Sequence, residues 1–300
     1  MRSVCEMLGC RYPVIQGAMG VICNPEFVAA VSEAGGFGTL ATAFAADVDT
    51  LYKQVKETQK LTRQPFGANL LVMNPLTQQF AELLAEEGIK TVTVSGGSPK
   101  ALIPLLKSFG MNVIPVVPSV TVAVKSEALG VDAIIAEGSE SGGLQGFKGS
   151  STMVLVPSVA DAVKIPVIAA GGIADSRGYQ AALALGASGV QVGTRFIASQ
   201  ECIAHANYKE AIIVHSETDT GLLNMGGFQV RAMQTPLAKK LLEDPSLIKQ
   251  GFSEMGTEES WVKGDLEAGV LPAGEVIGLI HNVKSVREIV EEMIQGGQNG

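Results

Sequence analysis

The segment AEGSESGGLQGFKGS (136–150) follows an apolar run and holds five glycines, three serines, two glutamates and one lysine. Its small side chains suit a mobile, ligand-binding loop. It contains no His, Cys or Asp, the types that most often move protons or attack as nucleophiles. Glu137 closes the sixth apolar run, with Ser141 and Gly142 following it in the loop. Gln145 can donate and accept hydrogen bonds but cannot act as a base. Lys148 is a candidate proton-transfer group, although a solvated loop lysine explains it as well.

Two further glycine sites point to an anion. AAGGIADSRG (169–178) runs from a strand through Ala170 into Gly171-Gly172, with Asp175 near a helix start. GVQVGTRF (189–196) places Gln191 in the next strand and Gly193-Thr194 near its end. Glycines let backbone N–H groups approach a phosphate closely. A glycine pair also serves simple tight turns. Two such sites on consecutive strands, where barrels commonly bind phosphate, favour the anion. Upstream, PVIQGAM (13–19) puts Gly17, Ala18 and Met19 at the first strand end. Asn69, inside PFGANLLV (65–72), offers a side-chain amide that donates and accepts, as the polar edge of a flat, amide-rich ring requires.

No metal site is expected. His205, His215 and His281 make no HExxH or HxH spacing, and Cys5, Cys10, Cys23 and Cys202 form no CxxC pair. Cys23 follows the first strand end and reads best as a buried, inert thiol.

These groups need a scaffold that gathers strand ends. Eight short apolar runs provide one: 13–19, 37–42, 65–72, 91–97, 112–118, 132–138, 166–172 and 189–196. Their continuous hydrophobicity suits strands buried on both faces of a parallel sheet. Helical spacing fills the gaps, with Val48, Leu51 and Val55 on one face, then Leu76, Phe80, Leu83 and Leu84, then Leu102, Leu105, Leu106 and Phe109. The expectation is an α/β chain folded as a (β/α)8 TIM barrel, with the site at the C-terminal ends of its strands. Residues 1–196 would form the barrel core. Residues 197–300 show helices and no convincing strand, and read as an eighth helix, a helical elaboration over the barrel mouth and a last helix. That last helix opens on a capping box, Ser285 and Glu288, with Val286, Ile289, Val290 and Met293 on one face.

Composition narrows the partners. The 300 residues are 46% hydrophobic with net charge −8, and no Lys/Arg run exceeds Lys239-Lys240. Nucleic acid is not an expected partner. The N-terminus lacks an apolar signal core and Val113–Val124 is broken by prolines, so neither a signal peptide nor a membrane span is expected, and the thiols suit a reducing cytoplasm. A homodimer is compatible with the sequence but not read from it.

The motifs PVIQGAM, EAGGFGTLAT, RQPFGANLLV, IPVVPS, AEGSESGG, IPVIAAGGIAD and GVQVGTRF, with KGDLEAGVLPAGEVIGLI near the C-terminus, resemble the nitronate monooxygenase (2-nitropropane dioxygenase) family, and within it the FMN-dependent enoyl-acyl-carrier-protein reductase II branch. The likeness covers nearly the whole chain. It implies FMN in the barrel mouth: Gly17, Ala18 and Met19 along the ring, Asn69 at its polar edge, Glu137 and Ser141 near ribityl or ring, and Gly171-Gly172 with Gly193-Thr194 on the phosphate, Gln191 nearby. Family members usually read GGHxG in the central loop, and the histidine is the expected acid–base group. This chain reads Gly142-Gly143-Leu144-Gln145-Gly146, and leucine cannot transfer a proton. The implied activities are an NAD(P)H-dependent reductase of an activated double bond such as an enoyl thioester, a nitronate monooxygenase, or a flavin-binding protein with little catalysis. From the residues alone, a flavin-free barrel for a phosphorylated metabolite also stands. No nucleotide-binding GxGxxG follows a strand, so NADH or NADPH would visit the flavin face only transiently. An acyl carrier protein, being acidic, would dock on a basic patch, for which Arg231, Lys239 and Lys240 are candidates.

Overall fold

The computed structural model describes residues 3–146, 149–225, 227–248 and 256–295. Its strands are β1 (Val14–Gln16), β2 (Gly38–Ala41), β3 (Phe66–Leu71), β4 (Thr91–Ser95), β5 (Asn112–Val117), β6 (Ile134–Glu137), β7 (Gly143–Gln145), β8 (Val167–Ala170), β9 (Gly189–Val192), β10 (Thr220–Asn224) and β11 (Gln229–Met233). Eight of them form one parallel sheet in the order β1-β9-β8-β6-β5-β4-β3-β2. The sheet closes through a bridge between Ile15 and Phe37, where Gln16 N–H donates to Phe37 O (2.9 Å) and Phe37 N–H to Val14 O (2.9 Å). This is the TIM barrel that the eight apolar runs predict, each run supplying one stave. Pro115 sits inside β5, where it has no N–H to donate. It stands in register with Val94 of β4, and pairing toward β6 is confined to Val116 and Val117.

The helices are α1 (Val4–Leu8), α2 (Pro25–Glu33), α3 (Val48–Leu61), α4 (Thr77–Glu86), α5 (Leu102–Ser108), α6 (Val120–Ala128), α7 (Thr152–Ala162), α8 (Ser176–Ala184), α9 (Thr194–Ile197), α10 (Ala206–Val214), α11 (Pro236–Glu243) and α12 (Val286–Gln295). Several open on side-chain caps, which satisfy N–H groups that a helix start leaves without partners. Asp47 caps α3, Ser119 caps α6, and Asp175 caps α8 by accepting from Arg177 N–H (2.9 Å) and Gly178 N–H (3.3 Å). The Ser285–Glu288 box before α12 is present, and Val286, Ile289, Val290 and Met293 are buried. On α5 the expected face is rotated: Ile103 and Leu106 are buried, while Phe109 lies past the helix end, exposed.

Two apolar cores result. Ile15, Phe37, Ile114, Ile135 and Ile168 fill the barrel interior, with Val4 and Leu8 of α1 packed beneath them. The larger core lies between the staves and the surrounding helices. The inner core, with α1 beneath it, closes the barrel from below and leaves the carboxyl ends of the strands as the available face.

The region after residue 196 corrects the sequence reading. It holds a β-hairpin, β10 antiparallel to β11, and β11 pairs in turn with β7, in the register Gln229–Gln145, Val230–Leu144 and Arg231–Gly143. The segment 136–150 is therefore partly a strand clamped by this hairpin, rather than a free loop. Among the described residues, no helix is long and apolar enough to cross a membrane.

Candidate active site at the carboxyl rim of the barrel

A cavity of about 1090 Å³ opens at the carboxyl ends of the staves. Every residue singled out from the sequence for a ligand lines it: Gly17, Ala18 and Met19 after β1, Asn69 of β3, Glu137 ending β6, Ser141 and Gly142 beyond it, Ala170, Gly171 and Gly172 at β8, and Gln191, Gly193 and Thr194 at β9. Leu144 and Gln145 line it too. Lys148 falls outside the described residues.

Each rim segment is held by a local device. The β1 tip is organised by Cys23, whose sulfur accepts from Met19 N–H (3.0 Å) and Gln16 Nε2 (3.1 Å). Burial pushes this thiol up to about 12, so it stays protonated and inert, as expected from its sequence position. At the β8 tip, Gly171 and Gly172 have φ of +100° and +71°, left-handed values that favour glycine. A Cβ on Gly171 would lie 2.8 Å from Thr152 Oγ1. At the β9 tip, a Cβ on Gly193 would meet only Met19 Sδ, at 3.8 Å, so the backbone here is open to the cavity. Thr194 is spent on structure, since its Oγ1 accepts from Gly274 N–H (3.0 Å).

Asn69 is buried and oriented by its neighbours. Its Nδ2 donates to Thr93 Oγ1 (3.0 Å), and its Oδ1 accepts from Ser95 Oγ (3.2 Å). An amide has two donors and two acceptor lone pairs, so one of each is still available.

Glu137, Ser141 and Gln145 form a chain. Gln145 Nε2 donates to Ser141 Oγ (2.6 Å) and Ser141 O (2.8 Å). The Ser141 hydroxyl bonds the Glu137 carboxyl. Burial pushes that carboxyl up from 4.5 to about 7, the Ser141 bond opposing the rise. The lining carries no histidine, cysteine or aspartate among the described residues, and its titratable groups are Lys100, Lys125, Glu137 and Tyr208. The Tyr208 hydroxyl donates to Pro272 O (2.6 Å), and burial holds it well above its ordinary range. Leu144 stands in the wall half-buried, opposite Val230.

Several expectations fall elsewhere. Arg231 is not part of an exposed basic patch. It is buried, donates from Nε to Ser139 O (2.9 Å) and from an Nη to Thr220 Oγ1 (3.1 Å), and pairs with Glu275 (3.0 Å). Lys239 and Lys240 are exposed on α11. None of the three histidines lines the cavity: His205 caps α10, His215 bonds Ala211 O and His281 is on the surface. No group of metal-binding side chains occurs among the described residues.

The sequence reading missed one wall of the cavity. Phe44, Tyr208 and Trp261 converge there; Phe44 and Trp261 meet edge-to-face at 6.1 Å, and Tyr208 lies 6.3 Å from Trp261. Trp261 comes from the π-helical turn Thr257–Val262. Isolated aromatics in irregular segments give no periodic signal to find them by. Lys100 and Lys125, on the opposite side, were also unmarked.

Comparison with known proteins places this geometry. The nitronate monooxygenase family model matches residues 2–90 and 77–296, nearly the whole chain. The chain belongs to the nitronate monooxygenase family. FabK from Thermotoga maritima has the same fold, with a TM-score of 0.93 and 40% identity over 99% of this chain and 96% of that one. The (3aS,4S,5R,7aS)-5-hydroxy-7a-methyl-1-oxo-octahydro-1H-indene-4-carboxyl-CoA dehydrogenase of Rhodococcus jostii is 30% identical over 97% of this chain and 94% of its own length. A probable nitronate monooxygenase of Staphylococcus saprophyticus is 34% identical over 80% of each. The chain is accordingly an oxidoreductase of this family.

Proposed function

We propose that the chain binds FMN across the barrel mouth and, with NADH or NADPH as transient reductant, reduces an activated double bond such as that of an enoyl thioester. The observation that carries this reading is the chemistry of the cavity wall. Leu144 stands in that wall, which holds no histidine, cysteine or aspartate among the described residues, and the carboxyl it offers is Glu137, raised by burial. Oxidising a neutral nitroalkane begins with removal of an α-proton, which Leu144 cannot perform. Reduction of a double bond ends with delivery of a proton, which a neutral carboxyl or water can perform.

The residues present fit FMN. Positive-φ glycines at the β8 tip and the open backbone of Gly193 suit the phosphate. Gly17, Ala18 and Met19 line the cavity where the ring would lie, and Asn69 keeps one donor and one acceptor for its polar edge. Bound there, the flavin would supply hydride chemistry that no side chain has. The chain's own part is to orient. Gly171, Gly172 and Gly193 grip the anion, Gln145 and Ser141 hold the Glu137 carboxyl, and Leu144 with the Phe44–Trp261 wall keeps the site apolar. The names of its relatives agree in part: FabK is one, and the Rhodococcus enzyme acts on a CoA thioester.

A reductive titration tests this. Purified, FMN-loaded protein under anaerobic conditions should lose its flavin colour on addition of NADH or NADPH and regain it with an enoyl thioester. No bleaching by either nucleotide would end the reading. The second reading, a nitronate monooxygenase, is favoured by the same leucine, because a nitronate is already deprotonated and needs no base. It predicts oxygen consumption with a nitronate, and no recovery of colour with the thioester.

A further inference from the structure

The cavity is larger than one small-molecule ligand requires, since such sites usually fill about 300–1,000 Å³ and this one reaches about 1090 Å³. Its lining extends past the strand ends to the β4–α5 turn and to α6. Ser98 and Lys100 line it from the turn, and Val122, Lys125 and Ser126 line it from α6. The two lysines are the only Lys or Arg among the described lining residues, on a molecule of net charge −8. Both are exposed, and neither has an ion-pair or hydrogen-bond partner among the described residues.

Position excludes the flavin phosphate as their ligand. That anion is assigned to the tips of β8 and β9. In the sheet order, β4, which leads to Lys100, stands four places from β9, and β5, which leads into α6 and Lys125, stands three places from it. A ligand serving these lysines must therefore carry its own phosphate on an arm whose other end reaches the ring site.

We infer that Lys100 and Lys125 form a phosphate anchor for the long-armed ligand that meets the flavin, resting on the proposed function for the identity of that site. Two reactants of that reaction carry such a phosphate: a thioester on a phosphopantetheine arm, and the pyridine nucleotide. The anchor would hold the phosphate at the solvent edge, where an exposed lysine keeps most of its hydration, while the arm runs inward to the ring site.

Direct binding tests this without turnover. Fluorescence of Trp261, the single tryptophan of the chain and itself in the cavity wall, would follow titration of FMN-loaded wild type and the K100A/K125A double variant. The probes are coenzyme A, NADP+ as the unreactive form of the nucleotide, and pantetheine, which lacks the phosphate; FMN is titrated into the flavin-free proteins. The double variant should bind coenzyme A or NADP+ about tenfold more weakly, in line with two solvent-edge charge contacts, and the wild-type advantage should shrink with added salt. Affinity for pantetheine and for FMN should be unchanged. Weakening confined to coenzyme A identifies the thioester as the anchored ligand, and weakening confined to NADP+ identifies the nucleotide. Changes below twofold for both, an equal loss for pantetheine, or a loss of FMN would overturn the inference. A protein that binds coenzyme A through these lysines yet never reduces a thioester would sink the proposed reaction and leave the anchor standing.

Discussion

At the scale of single residues, the site turns on two neighbours with opposite capacities. Leu144 occupies a cavity position and can move no proton. Glu137 sits beside it through Ser141 and Gln145, with its carboxyl raised to about 7. Leu144→His should therefore raise turnover of a neutral nitroalkane by tenfold or more, within the range of about 10²–10⁴ that a positioned acid–base group supplies; steady-state oxygen uptake measures it. Glu137 gives a second prediction, in stability. Its folded pKa lies above its unfolded value, so the folded state keeps a proton that the unfolded chain has released. Stability of the flavin-free protein should then fall as pH rises from about 4.5 through 7 and level off above, by up to roughly 3 kcal/mol. Urea unfolding of Glu137→Gln should show this portion of the slope removed, with the acid-side loss from Asp175 and Glu288 retained. The residue types of the rim were legible in the sequence because glycine, asparagine and glutamate at strand ends have few other reasons to be there. The chain Gln145–Ser141–Glu137 was not, since hydrogen bonds across a folded-back loop leave no periodic trace.

Elements explain where sequence reasoning fell short. Eight strands were readable because each is a continuous apolar run buried on both faces. The β10–β11 hairpin was not: TGLLN and QVRAM are five residues each, and neither alternates cleanly. The Gly226-Gly227 pair between them was a hairpin signal. That hairpin matters because it clamps the central loop through β7. A Cβ on Gly142 would lie 2.6 Å from the Ala273 carbonyl carbon and 2.7 Å from Gly274 N, backbone atoms that cannot swing aside. Gly142→Ala should cost about 1–3 kcal/mol, lower the melting temperature by several degrees, and weaken FMN binding by displacing Ser141. Arg231→Met tests the clamp from the other side. It removes the donors to Ser139 O and Thr220 Oγ1 and the Glu275 pair, and should likewise cost about 1–3 kcal/mol. Calorimetry should show both losses, whereas a substitution at exposed Lys240 on α11 should show almost none.

For the molecule as a whole, the barrel puts its stability and its chemistry at opposite ends. Isoleucines and α1 fill the lower interior, while the upper rim is built from glycine-rich tips, a borrowed hairpin and an aromatic wall. Such a rim gains rigidity from what it binds. A ligand that touches β1, β3, β6, β8 and β9 together ties five staves at the end where side chains pack least. FMN at about 100 times its dissociation constant should add roughly 2.7 kcal/mol to unfolding, seen as a rise in melting temperature. The size of the phosphate's share follows from its position. If backbone amides at the β8 and β9 tips grip it, riboflavin, which has the ring and ribityl chain but no phosphate, keeps the ring contacts and loses the charge-assisted hydrogen bonds. Two or three such bonds at about 1.5 kcal/mol each correspond to a weakening of a hundredfold or more. Thermal-shift titrations with FMN and riboflavin side by side measure the ratio. Equal shifts for the two ligands would mean that the glycine tips shape the backbone and hold no anion.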